Sequence, residues 1–461
     1  MAGKPVYIGI IGFGKVGSGT YETLLANQAS IDRKVGRPVR IKKIADINWS
    51  APRSISVPVA KEMQTTDASD LIADPDISII VESIGGIKPS LDLVLSALRA
   101  GKNVVTSNKE LIARHGKELF DAAAERSLDL MFEGAVGGGI PILRPLKSCL
   151  AANRIQRVMG IVNGTTNFIL SRMAQEGAEF GDSLAEAQRL GYAEPDPTND
   201  IEGFDATFKL AILASIAFET RVPVESIHRE GITRITARDI GYAHQLGFAV
   251  KLLAIGVDAG GALEARVHPT LLPLDHPLSK VSGPFNAIFV RGSSVGEVMF
   301  YGQGAGALPT GSAMVGDIID TARNIVSGST GRIACTCFEG RQVLPMEEVT
   351  TRFYLRTQVA DRPGVLAAMA RVFADEQVSL ASVLQMSGSG LPAEVPRSAV
   401  PTGTAVAGGD LAAPAKAGES AEIVWLTHKT KERQMQASLR KIERLPEVHE
   451  ISNCIRAETD A

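Results

Sequence analysis

The sequence predicts an α/β protein built from three units, and three observations carry that prediction. Strand-like and helix-like segments alternate over residues 1–135, a glycine pattern follows the first strand directly, and residues 350–456 read in the order βαββαβ. The length of 461 residues fits this division, since a domain usually takes ~150 residues.

In the first unit, Val6–Ile11 is an apolar run, Val16–Leu25 has helical spacing, and Val39–Ala45 reads as a second strand ending at Asp46. Ile77–Val81 is a short apolar run, Leu91–Leu98 a helix, Asn103–Thr106 a strand, Ala113–Glu125 a helix and Leu128–Phe132 a closing strand. Continuous apolar strands between helices indicate a parallel sheet covered on both faces. The middle unit, 136–345, is expected to be a second α/β domain. It has helical stretches at Thr207–Phe218 and Ile240–Ile255, and strands at Leu263–His268, Ala287–Arg291 and Glu297–Tyr301. A helix opening near residue 307 and running to about Ile325 is expected to return to the first unit.

The third unit reads as strand Arg352–Val359, helix Gly364–Glu376, strand Leu380–Ser387, strand Glu422–His428, helix Lys431–Leu445 and strand Val448–Arg456. That is the ferredoxin-like order. The segment 387–419 is rich in Pro, Ala and Gly without apolar period, which predicts a mobile insertion at a hairpin tip.

Gly12-Phe-Gly14-Lys-Val-Gly17 is the G-x-G-x-x-G pattern, placed between a strand and a helix. Gly12 permits the tight turn, Gly14 lets backbone approach a pyrophosphate, and Gly17 lets helix and strand pack closely. The following helix N-terminus offers free N–H groups and partial positive charge to phosphates. A Rossmann-type sheet binding NAD or NADP is therefore expected. Asp46 is placed to accept hydrogen bonds from the adenosine ribose, although it lies 29 residues after Gly17, beyond the usual ~20. A carboxylate there favours NAD, Arg53 and Lys43 could meet a 2′-phosphate, and a plain turn role for Asp46 stays open.

Hydride transfer needs a group that gives or takes the proton on oxygen. The segment Leu190–Lys209 holds Glu194, Asp200, Asp205 and Lys209, with two prolines keeping its first part out of a helix. Asp205 and Lys209 fall four apart on one helical face. Lys209 runs into the apolar stretch Leu210–Phe218, where desolvation would lower its pKa toward one suited to proton transfer. The competing reading is a surface ion pair at a helix start. Lys109 follows a strand end, where doubly wound sheets face their ligand. Glu133 through Pro141 includes three consecutive glycines, which suit a hinge, while free carbonyls beside Glu133 could hold a hard cation.

The formal charge of −3 and the balance of 48 basic against 51 acidic residues argue against a nucleic-acid binder. No apolar run approaches the roughly 18 residues that span a bilayer, and the chain enters a strand at once without a leader, so a cytoplasmic protein is expected. Four scattered cysteines exclude a disulfide scaffold. Cys335-Thr-Cys337 would place two thiols on one strand face; without a second ligand pair, small buried residues are the preferred reading over metal or redox work. Seven histidines without paired spacing carry no transition-metal signal.

Taken together, Gly12–Gly17, Val105-Thr-Ser-Asn-Lys109, Glu133–Pro141, Gly160-Ile-Val-Asn-Gly-Thr-Thr-Asn167 and Ala187–Lys209 resemble homoserine dehydrogenases, over about residues 5–330. Asp361-Arg-Pro-Gly-Val-Leu366 resembles the first strand–helix turn of the ACT regulatory domains that some of these enzymes carry. The resemblance implies NAD(P)-dependent interconversion of L-aspartate 4-semialdehyde and L-homoserine, on the route to threonine and methionine. It implies that Lys209 is the acid/base, Lys109 a second catalytic lysine near the nicotinamide, and Asp205 a group that binds and orients substrate. Glu194 would hold the substrate amino group and Asp200 would support that loop. Gly12, Phe13, Gly14, Val16, Gly17, Asp46, Lys109 and Gly306 would line the cofactor. Glu133 with the carbonyls of Val136, Gly138 and Ile140 would bind a monovalent cation such as sodium. A homodimer built through the central unit is implied, as is feedback control by an amino acid, threonine first, through the ACT domain.

Two other readings compete. A catalytically silent amino-acid sensor would keep the same architecture, but Lys109, Asp205 and Lys209 are all present. Another dehydrogenase, acting on aspartate semialdehyde by a thioester route or on a small hydroxy acid, would want a Cys–His or His–carboxylate pattern, and no local pattern offers one.

Overall fold

The computed structural model describes residues 4–53, 55–332, 334–387 and 420–459. Its first sheet holds β1 (Val6–Ile11), β2 (Val39–Ala45), β3 (Gln64–Thr65), β4 (Ile77–Glu82), β5 (Asn103–Thr106) and β6 (Leu130–Met131). They are hydrogen-bonded in parallel in the order β3-β2-β1-β4-β5-β6. This is the doubly wound dinucleotide-binding order, whose direction reverses between β1 and β4.

The central strands β1, β4 and β5 are largely apolar because both faces are covered. Ile8, Ile10, Ile79 and Val81 pack toward Tyr21 and Leu24 of the helix Lys15–Ala26 and toward Met314 and Ile318 of the helix Ala307–Ser327. Ile11, Ile80 and Val104 face Leu98 of the helix Ser90–Arg99 and Leu111 and Leu119 of the helix Lys109–Ala124. Full burial of one such side chain contributes about 2 kcal/mol. The helix Ala307–Ser327 thus covers the first sheet although it follows the second in sequence. It approaches so closely that a Cβ on Gly19 would lie 2.0 Å from the Ala307 carbonyl oxygen.

The second sheet is mixed and, among the described residues, has twelve strands. In chain order they are β7 (Ile155–Ile161), β8 (His228–Arg229), β9 (Phe248–Asp258), β10 (Ala262–Pro273), β11 (Phe285–Gly292), β12 (Gly296–Gln303), β13 (Gln342–Val343), β14 (Thr350–Ala360), β15 (Leu380–Ser387), β16 (Ser420–Thr427), β17 (Thr430–Lys431) and β18 (Val448–Ala457). The main path runs β12-β11-β7-β9-β10-β18-β14-β16-β15. The described residues 350–387 and 420–457 form βαββαβ, with helices Val365–Asp375 and Glu432–Ile442 and the antiparallel order β18-β14-β16-β15. Their core of Phe353, Leu355, Phe373, Ile423, Trp425 and Ile442 is separate from the others.

β18 also pairs in parallel with β10, Thr270 opposite Arg456 and Leu271 opposite Ala457, so the C-terminal unit continues the central sheet. Buried charges reinforce the joint. Arg356 donates to Asp239 (2.7 Å) and Glu422 (2.8 Å), and Arg266 donates to Glu458 (2.9 Å).

Two expectations need correction. The helix expected over 240–255 ends early: the helix is Ala237–Gln245, and β9 begins at Phe248. Gly247 turns the chain at φ 85°, a stop that the mostly apolar run beyond it, interrupted only by Lys251, masks. Cys335 and Cys337 lie in irregular chain rather than on a strand, and both are half-buried. The expected insertion over 387–419 lies, from residue 388, outside the described residues. Among the described residues no helix is long and apolar enough to cross a membrane.

Candidate active site

The glycine turn closes the carboxyl end of β1 at the point where strand order reverses. Gly12 sits at φ 91°, and a Cβ there would meet the Ser83 backbone at 2.9 Å. A Cβ on Gly17 would lie 2.1 Å from the Gly12 carbonyl oxygen. Gly14 is different, for its φ is −74° and a Cβ would meet nothing within 4 Å. Neither strain nor packing demands glycine at 14, and the open space at a helix N-terminus is what a pyrophosphate requires. Phe13 is buried against Tyr21, and Val16 packs on the same core.

Asp46 holds this turn in shape. Its carboxylate accepts from the Phe13 amide (2.6 Å) and the Asn48 amide (2.7 Å), and Arg53 lies 3.3 Å away. Arg53 donates to the carbonyls of Phe13, Trp49 and Ala51 and stacks on the Phe13 and Trp49 rings. Both residues are therefore bound into the wall of the turn. The excess spacing from Gly17 is taken up by a helix, Gln28–Val35.

Gly306 reaches the same crevice from the other side. It precedes the helix Ala307–Ser327 at φ 132°, and the Gly304 carbonyl would lie 2.4 Å from a Cβ on Gly138. The Gly137–Gly139 turn is thus packed on the returning glycine segment, and Gly139 N–H donates to the Gln303 carbonyl (3.0 Å). Glu133 is buried, and its carboxylate accepts from the amides of Ile142 (2.6 Å), Leu143 (2.9 Å) and Arg144 (2.7 Å). Sequence reading offered this carboxylate as a cation ligand; the structure occupies it with three N–H donors. Val136, Gly138 and Ile140 follow on the same turn, where backbone oxygens are the hard donors a monovalent cation takes.

The two lysines expected to handle the proton converge on Asp205. Lys109 starts the helix after β5, with Asn108 as N-cap accepting from Leu111 N–H (3.1 Å). Its Nζ lies 2.8 Å from Asp205 Oδ1. Lys209, one turn along the helix Phe204–Ala217, places Nζ 2.7 Å from Asp205 Oδ2 and 2.6 Å from the Val162 carbonyl. Lys209 is 10 % exposed and Lys109 42 %. The desolvation expected of Lys209 does not act alone, because two acceptors meet its ammonium. Burial would raise the Asp205 carboxyl, but the two ammonium groups outweigh it and hold it well below the usual carboxylate range. Asp205 in turn raises Lys109 above the ordinary lysine value.

Asp200 joins this cluster through residues that sequence reading did not assign. Asn163 Nδ2 donates to Asp200 (2.7 Å) and to Asp205 (2.9 Å), and Thr165 Oγ1 donates to Asp200 (3.0 Å). Burial and the nearby Asp205 charge push the Asp200 carboxyl up. The Asn163-Gly164 pair at the end of β7 was the available signal, since Asn163 caps the helix Gly164–Glu176. Glu194 is exposed, and among the described residues its carboxylate makes no hydrogen bond or ion pair with the cluster.

Reduction of a carbonyl by a dinucleotide needs a proton donor beside the crevice, and Lys109 carries the cluster to the carboxyl end of β5. The chain is an NAD(P)-dependent oxidoreductase. Family models agree over both regions: "Homoserine dehydrogenase, NAD binding domain" matches residues 12–133 and "Homoserine dehydrogenase" residues 141–319. The Synechocystis homoserine dehydrogenase is 42% identical over 460 residues, covering 98% of this chain and 99% of the relative. The Thiobacillus denitrificans enzyme structure superposes with TM-score 0.86 at 40% identity, covering 99% of this chain and 98% of that one. A hyperthermophilic archaeal homoserine dehydrogenase in complex with NADPH matches with TM-score 0.59 at 30% identity, over 69% of this chain and 97% of that one. The chain belongs to the homoserine dehydrogenase family.

Proposed function

We propose that the chain interconverts L-aspartate 4-semialdehyde and L-homoserine, with Lys209 as proton donor and acceptor at the substrate oxygen. The observation that carries this reading is the sharing of one buried carboxylate by Lys109 and Lys209. The bound dinucleotide would supply or accept the hydride. An ammonium has three N–H donors; Lys209 spends two on Asp205 and Val162, which leaves one for substrate. Charged Lys209 then opposes negative charge developing on oxygen and passes its proton there. Lys109, more open to the crevice, would bind the same substrate from the side of the first sheet. Asp205 holds both ammonium groups in place, and Asp200, buttressed by Asn163 and Thr165, orders the loop that carries Glu194 toward the substrate amino group. Oxidation of NADH or NADPH on addition of aspartate semialdehyde tests the reading; no oxidation with either would leave the silent-sensor alternative.

Gly12, Phe13, Gly14, Val16, Gly17, Asp46 and Gly306 would enclose the cofactor, with Asp46 acting through the Phe13 amide. A sodium ion would be held by backbone oxygens of Val136, Gly138 and Ile140, with Glu133 shaping the turn. We assign residues 1–135 to cofactor binding, 136–345 to substrate and to homodimer contacts, and 350–456 to an ACT regulatory domain. The βαββαβ order and Asp361-Arg-Pro-Gly-Val-Leu366 support the last assignment. Threonine is the proposed effector, in a cytoplasmic enzyme. A threonine titration that leaves activity unchanged at millimolar concentration would discard feedback.

A further inference from the structure

The segment between the helix Ala307–Ser327 and β14 crosses behind the catalytic helices. It is pinned there by Glu339 N–H donating to the Glu219 carbonyl (2.8 Å) and by Thr220 Oγ1 donating to the Glu339 carbonyl (2.6 Å). Cys335 and Cys337 lie on it, lining a small cavity with Phe120, Phe132, Lys147 and Arg221. The cavity wall is completed by the helices Lys109–Ala124 and Phe204–Ala217, which begin with Lys109 and carry Lys209.

The charge in this cavity is one-sided. Arg221 Nη2 lies 3.5 Å from Cys335 Sγ, and Lys147 Nζ sits 5.0 Å from each of the Phe120 and Phe132 ring centroids. Among the described residues no carboxylate lines the cavity and neither cation has an ion pair with one. We propose that Cys335 and Cys337 form a reversible dithiol–disulfide site, in which Cys335 is the attacking thiolate and Arg221 and Lys147 are its counter-charges.

The neighbouring Cys337 thiol, with both cations, draws the Cys335 thiol down, while the same neighbour and burial push Cys337 up, whose sulfur lies 4.0 Å from the Ser215 carbonyl oxygen. The two thiols therefore have different tasks. The co-reactant is a low-molecular-weight disulfide. Cys335 sulfur attacks one of its sulfurs, its S–S bond breaks, and one small thiolate leaves. Cys337 then loses its proton and attacks the Cys335 sulfur of the mixed disulfide, releasing the second small thiol. The protein loses two electrons and two protons, and the small disulfide gains both.

The full-length protein carries its own reference, the exposed thiol of Cys149. With limiting iodoacetamide at neutral pH, Cys335 is expected to alkylate about tenfold faster than Cys149. With oxidised glutathione, the tryptic peptide 333–341, which holds both cysteines, is expected to become two hydrogens lighter and to recover with dithiothreitol. In Cys337→Ser, glutathione should instead remain on Cys335. The proposal is overturned if Cys335 alkylates no faster than Cys149, or if peptide 333–341 keeps both thiols while Cys149 takes up glutathione.

Discussion

Lys109 and Lys209 reach the two oxygens of one carboxylate from different layers of the molecule, at 2.8 Å and 2.7 Å from Asp205. One lysine belongs to a helix on the first sheet and the other to a helix on the second. Asp205 therefore ties the first-sheet side of the crevice to the second-sheet side with a single side chain.

Lys209→Ala should lower turnover at least ~100-fold, the usual cost of losing a preorganised donor. The dissociation constant for NADPH, read by fluorescence titration, should change less than about twofold, because the glycine turn is untouched.

Asp205→Asn should destabilise the fold by about 3 kcal/mol at neutral pH, since it leaves two ammonium groups without their shared counter-charge. The sign of the pH effect follows from the depressed Asp205 carboxyl. The unfolded carboxyl titrates near ~3.9, so the stabilisation is complete above that value and drains as pH falls below it. In urea unfolding, the gap between wild type and variant should narrow from about pH 6 to about pH 3; a constant gap would contradict the ion-pair account.

Gly14→Ala and Gly17→Ala should separate ligand space from packing. The first meets open space and should leave the unfolding midpoint within about 0.5 kcal/mol of wild type, while weakening NADPH about tenfold or more. The second drives a methyl into the Gly12 carbonyl and should cost about 1–3 kcal/mol without any ligand. Calorimetry with and without cofactor distinguishes the two.

Arg356→Ala should destabilise the protein by about 3–5 kcal/mol, because Asp239 and Glu422 stay buried without their guanidinium. Denaturant unfolding measures the loss, and a change under about 1 kcal/mol would mean that water reaches the pair.

In the first sheet β1, β4 and β5 were legible as short apolar runs bounded by turn signals, whereas β3, only Gln64–Thr65, has no apolar run to announce it. The Gly12–Gly17 turn was legible because three glycines answer three distinct demands. β9 was misread since Phe248–Asp258 is buried on nearly all sides, and such a run has no period to distinguish strand from helix. Asp205 and Lys209 could be paired from their spacing, but Lys109 and Asn163 meet them only through tertiary folding. Cys335 and Cys337 looked like small core residues because nothing local announces Arg221 or Lys147, which arrive from distant segments.

The narrow pairing of β18 with β10 has a consequence for any attempt to trim the chain. Cutting after residue 349 would strip the central sheet of its neighbour and bare the Thr270–Leu271 edge together with Arg266, which would keep Glu264 but lose Glu458. A bared strand edge is a template for self-association, so a shortened protein should clump unless that border is capped, for instance by a charged replacement at Thr270.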